Sequence, residues 1–87
     1  PKVYSKRRPH EIPAGSVYVG RPTKWGNPFI VGVHGKQGEC VELFARDIES
    51  RPELVEAAKR ELRGKNLVCW CAPRACHADV LLAIANS

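Results

Sequence analysis

The first ordered alternation along the chain is Ser16-Val17-Tyr18-Val19-Gly20, a β-rich run bounded by glycine that predicts a strand. Before it, residues 1–15 hold three prolines and a basic cluster with no period of two or 3.6, and they read as an extended arm. After it, Arg21 to Phe29 is dense in turn formers and reads as a loop, with Phe29-Ile30-Val31 as a second short strand. From Glu39 the period changes. Val41, Phe44, Ala45 and Ile48 fall on one helical stripe that ends near Ser50. Ser50-Arg51-Pro52-Glu53 then has capping-box spacing, and the helix it opens carries Leu54, Ala58 and Leu62 before stopping at Gly64. Two helices meeting there should form a bent pair.

Leu67-Val68-Cys69-Trp70-Cys71 is apolar without alternation, as expected of a strand buried on both faces at the centre of a parallel sheet. Ala72-Pro73-Arg74 breaks it. A last helix over about 75–85 follows, with Ala78, Leu81, Leu82 and Ala85 on its stripe. This order predicts one α/β domain over residues 16–87, preceded by the arm at 1–15. Its sheet should be short, mainly parallel and flanked by about three helices.

Composition narrows the setting. The 87 residues suit a single small domain, and 44% hydrophobic with 26% charged residues is ordinary globular usage. No apolar run is long enough to span a bilayer and no signal-peptide pattern opens the chain, so a soluble cytoplasmic protein is expected. In that reducing setting four cysteines point to metal binding, thiol chemistry or burial before disulfides. The net charge of +5 is carried entirely by residues 1–24, where Lys2, Lys6, Arg7, Arg8, Arg21 and Lys24 face Glu11 alone. This asymmetry suits an acidic partner: a nucleotide, a nucleic acid gripped by Lys6, Arg7 and Arg8, or a host protein surface. A solvated arm that aids solubility is the plain alternative.

The candidate chemistry gathers at the last strand-to-helix junction. Cys69 and Cys71 share one strand face, and a tight turn returns the chain so that Cys76 and His77 enter the first helical turn. Three readings follow. Cys69, Cys71, Cys76 and His77 supply a Cys₃His zinc set, although the usual Cys-x-x-Cys knuckle is missing. A cysteine at a helix start gains thiolate character, or the same N–H groups hold an anion, with Arg74 assisting. Buried cysteines also serve simply as small hydrophobes. The anion or thiolate reading leads, no metal is favoured, and Cys40 is taken as packing or a spare thiol. If the domain is an enzyme, Cys71 or Cys76 is the nucleophile, His77 the acid or base, and Asn27 a polarising donor. The loop after the first strand is the second wall: Trp25 would stack on a base, Gly26 would admit close approach, Asn27 would bond a base edge, and Arg21 and Lys24 would meet phosphate. The bland counterpart is a loop pinned to the core by Trp25 and Phe29.

Two blocks, Val17 to Phe29 and Leu62 to Cys71 continuing through Cys76-His77-Ala78-Asp79-Val80-Leu81-Leu82, resemble the domain-of-unknown-function family 4326 of bacteriophages and bacteria. The resemblance implies a phage or bacterial cytoplasmic setting and supplies no reaction. The functional expectation is therefore a nucleotide or nucleic-acid pocket between the Trp25–Phe29 loop and the Cys71–His77 turn. Its rival is a non-catalytic interaction module for a host protein or DNA, with structural or zinc-binding cysteines.

Overall fold

The computed structural model describes residues 1–72 and 74–87. Three short strands, β1 (Val3–Ser5), β2 (Val17–Tyr18) and β3 (Leu67–Cys69), form a sheet in the order β1-β3-β2, with both pairings parallel. The expected small α/β architecture is present, and the last strand in sequence lies at the centre. All three β3 residues are buried, which explains why Leu67-Val68-Cys69 shows no polar alternation. Leu67 and Cys69 enter the main core, while Val68 is flanked in register by Tyr4 and Tyr18.

Residues 3–5, assigned from the sequence to the arm, supply an edge strand that pairs with β3. A three-residue strand is too brief to show a period, so its pairing comes from β3 and not from its own pattern. A 3₁₀ turn at Pro9–Glu11 follows. Phe29-Ile30-Val31 is not a strand. Among the described residues its pairing is an isolated bridge between Val31 and Gly35.

Helices α1 (Gln37–Glu49), α2 (Pro52–Glu61) and α3 (His77–Ala85) pack on one another, and α3 rests on β1 and β3. Phe44 and Ile48 from α1, Leu54 and Ala58 from α2, and Leu81 and Ala85 from α3 meet in one core. The capping box expected at Ser50 does not form. Ser50 bonds back to the Asp47 carbonyl at the end of α1, and Arg51 takes the cap position of α2 without a side-chain bond. Pro52 still opens α2, where its missing N–H costs nothing. Gly64 has φ +75°, the left-handed conformation that glycine adopts without a Cβ penalty. Pro73, expected to break the last strand, lies outside the described residues.

Candidate functional site

Because all three strands are parallel, their carboxyl ends open on one edge, where α/β folds place their ligands. Three segments meet there. Ser5–Arg8 leaves β1, Val19–Asn27 leaves β2, and Trp70–Cys76 leaves β3. Lys6 N–H donates to the Cys69 carbonyl at 2.9 Å, and Val19 N–H to Val68 at 2.9 Å, so each exit is tied to the central strand.

A cavity of about 360 Å³ occupies this edge. Tyr18, Phe29 and Trp70 give it aromatic walls, Arg21 a cation, and Cys69, Cys71 and His77 a sulfur- and nitrogen-bearing side. A second, smaller cavity of about 210 Å³ adjoins it, sharing Gln37, Trp70 and Cys71 and adding Arg7 and Arg74. Cys71, half-buried, therefore sits between an aromatic chamber and one carrying two guanidinium groups. Gln37 Nε2 donates to the Ala75 carbonyl at 2.6 Å, tying the start of α1 to the cysteine turn.

The junction brings three thiols together. The sulfurs of Cys69, Cys71 and Cys76 lie within 4.8 Å of one another. Cys76 and Cys69 are closest, at 2.9 Å between sulfurs. The Cys76 S–H donates to Cys69, so the Cys69 thiol is lowered to about 6 despite its burial. Cys76 shifts the other way, raised first by that same bond and then by burial. The pair thus gives up one proton easily and holds the other.

Cys76 is not inside the first helical turn, as the sequence suggested, but at the cap position ahead of His77. Its φ of −145° and ψ of 152° are extended, and the Asp79 carboxylate accepts its backbone N–H at 3.0 Å. That Cys-x-x-Asp arrangement is a capping box with sulfur in place of the usual hydroxyl. His77 follows, nearly buried. Its Nε2 faces the Val19 carbonyl at 2.7 Å and its Nδ1 lies 3.5 Å from the Cys76 sulfur. A carbonyl only accepts, so Nε2 carries the proton and Nδ1 is bare in the neutral ring. Burial lowers the His77 pKa, opposed in part by the Val19 carbonyl. His77 stands outside the group of three sulfurs that converge, so the four-residue zinc set becomes three among the described residues.

The second wall differs from expectation. Trp25 is only 4% exposed and belongs to the core, so it is not available to stack on a base. Asn27 is spent at both ends of its amide. Its Nδ2 donates to the Cys40 carbonyl at 3.1 Å, and its Oδ1 accepts the Phe29 N–H at 2.9 Å. A polarising donor must be uncommitted, so Asn27 acts as a loop clasp. Gly26 has a packing role, since a Cβ there would come within 2.8 Å of Arg21 Cγ and 3.1 Å of Arg21 Cα. Lys24 pairs with Glu61 at 2.8 Å across the surface. Arg21 alone of that loop's two cations lines the cavity.

Trp70, and not Trp25, is the tryptophan that lines the cavity. It is 51% exposed, and its indole N–H donates to the Tyr18 hydroxyl at 3.2 Å, which in turn donates to the Arg21 carbonyl at 2.8 Å. Lys6 Nζ sits 4.5 Å from the Tyr18 ring centre and 5.7 Å from that of Trp70. Strand alternation puts Trp70 opposite the cysteines. The strand ends at Cys69, however, and the bend beyond it carries Trp70 to the rim. Cys40, expected as packing or a spare thiol, is buried as the packing alternative has it, and it also lines the same cavity. An aromatic residue just past the end of a central parallel strand was the available signal for Trp70; nothing local in the sequence marked Cys40.

No helix among the described residues is long and apolar enough to cross a membrane. No solved structure matches the chain. It is similar to a phage T4 protein described as an uncharacterized 12.4 kDa protein in the nrdA-td intergenic region, at 36% identity over 73 residues. The similarity covers 80% of this chain and 67% of that protein. The profile of the domain of unknown function DUF4326 matches residues 3–87, from the first strand through the cysteine turn to the last helix. The chain therefore belongs to the DUF4326 family, as its Val17–Phe29 and Leu62–Leu82 blocks indicated.

Proposed function

We propose that the domain binds a nucleotide, free or as the unpaired end of a nucleic acid, at the carboxyl edge of its sheet. The observation that carries this reading is the adjoining pair of cavities. One has Tyr18, Phe29 and Trp70 about it and the other has Arg7 and Arg74, with Arg21 on the near side. A planar ring gains from aromatic faces, and a phosphate gains from guanidinium groups that bond it in pairs. The cavity volume of about 360 Å³ falls at the small end of the range that ligand sites occupy. The basic excess in residues 1–24 favours the same class of partner.

Should the site act on its ligand, Cys71 is the thiol placed for it, because it is half-buried where Cys69 and Cys76 are buried. The bare Nδ1 of His77 faces the Cys76 sulfur at 3.5 Å, so that pair serves the junction first.

Thermal shift with nucleoside monophosphates, the matching nucleosides and inorganic phosphate tests the reading. Stabilisation by the monophosphates beyond either fragment, reduced by Trp70→Ala and by Arg7→Ala, is expected. No shift with any of them at low salt overturns it. The rival reading, a docking face for a host protein, rests on exposed Ile30, Val31 and Trp70, which line the same cavity.

A further inference from the structure

We infer that Cys69, Cys71 and Cys76 form a zinc site of three thiolates whose fourth position faces the cavity lined by Tyr18, Phe29 and Trp70. The three sulfurs come from distinct local structures: the end of β3, the turn beyond it and the cap of α3. They nevertheless lie within 4.8 Å of one another. Zinc–sulfur bonds of about 2.3 Å set the sulfurs of a tetrahedral site roughly 3.8 Å apart. The Cys69–Cys76 separation of 2.9 Å and the 4.8 Å limit of the group bracket that value. An adjustment of about 1 Å per sulfur, the scale of a side-chain torsion, converts one arrangement into the other.

The donor chemistry selects the ion. Thiolates are soft ligands that suit zinc over magnesium or calcium, and no carboxylate belongs to the group. The nearest acid, Asp79, turns its carboxylate to the Cys76 backbone N–H instead. Three thiolates on one divalent ion leave a net single negative charge. Cys76 occupies the cap position of α3, at the positive end of the helix, which favours negative charge there. Arg21, Arg7 and Arg74 line the chambers on either side of Cys71.

His77 is left out of the ligand set, since it meets only Cys76 among the three sulfurs. Cys69 and Cys71 both open on the cavity, so the remaining coordination position points where a water or an anionic ligand can enter. Three protein ligands with one open position is the pattern of reactive zinc sites, whereas structural sites close the fourth with a side chain. Binding releases the protons of whichever thiols are not yet ionised, and it ties the 69–76 turn to the sheet. The inference holds whether or not a nucleotide occupies the cavity, because it rests on the sulfurs alone.

The test uses the full chain, with its zinc content measured as purified without chelator, then Co²⁺ added to metal-free protein under reductant. One ion per chain is expected, with a strong thiolate-to-cobalt charge-transfer band that one equivalent of Zn²⁺ abolishes. Cys69 and Cys76 are core residues whose replacement also loosens the fold, so the deciding variant is Cys71→Ser, half-buried. It should lose about a third of the band and bind Co²⁺ ~tenfold or more weakly. Cys40→Ser, a buried thiol outside the group, should leave the band unchanged. A folded, reduced chain that gives no such band overturns the site. So does a band that survives Cys71→Ser intact, or one that Cys40→Ser removes.

Discussion

The Nε2 of His77 stands 2.7 Å from the carbonyl oxygen of Val19, joining the first residue of α3 to the exit of β2 across 58 positions of sequence. Both groups are buried, and the imidazole also meets the Phe44 ring edge-on at 5.1 Å between centres. One side chain thus fixes the depth at which the cysteine turn meets the loop after β2. His77→Phe keeps the aromatic packing and strands the Val19 carbonyl. It should cost about 1–3 kcal/mol in urea unfolding, the penalty of a buried acceptor left without a donor. A variant as stable as the parent shows that the bond fixes nothing.

The two tryptophans should separate cleanly. Trp25→Ala removes a core ring and is expected to lose about 3–5 kcal/mol of stability. Trp70→Ala, half in solvent, should unfold close to the parent's denaturant midpoint while weakening nucleotide binding by about tenfold or more. Calorimetric binding and urea melts on both proteins check this. The reverse pattern, with Trp25 needed for binding in a stable protein, contradicts the core placement.

Lys24 and Glu61 form an ion pair whose side chains are 53% and 41% exposed. Surface pairs of this kind contribute below about 1 kcal/mol, so Lys24→Gln should barely move the melting curve. With its charge already engaged away from the cavity, the same variant should leave monophosphate affinity unchanged, whereas Arg21→Gln should weaken it. Equal effects of the two substitutions in a titration would argue for a diffuse basic field instead of a placed cation.

Gly20 tests the cavity wall from the backbone side. A Cβ there would collide with the Tyr18 hydroxyl and ring, so Gly20→Ala must push the ring aside. The displaced ring breaks the bond from Trp70 and the one to the Arg21 carbonyl. The expected outcome is a modest loss of stability with a changed Trp70 fluorescence spectrum and reduced ligand affinity. Unaltered fluorescence shows that Tyr18 does not hold Trp70.

Much of the fold is legible because strong periods mark it. The stripe of Val41, Phe44 and Ile48 locates α1, and the unbroken apolar run of β3 places that strand at the sheet's centre. Elements too short to carry a period escape. Val3–Ser5 has three residues and becomes a strand only because β3 offers it an edge. Ser50 has the spacing of a capping residue, yet it bonds backward to Asp47, since the chain enters α2 through Arg51.

The sequence by itself brought Cys69, Cys71 and Cys76 to one strand-to-helix turn, because a short connection leaves little freedom there. It counted His77 with them, whereas the structure leaves His77 outside the group. It also determined that the charge excess lies near the amino end. Only the tertiary structure decided which aromatic faces the cavity, putting Trp25 in the core and Trp70 at the rim. It also decided that Asn27 clasps Cys40, that Lys24 answers Glu61, and that His77 reaches Val19. Each of these choices pairs groups 13 or more residues apart. Local pattern carries no information about such pairs, which are selected by burial and hydrogen-bond satisfaction once the whole chain is packed.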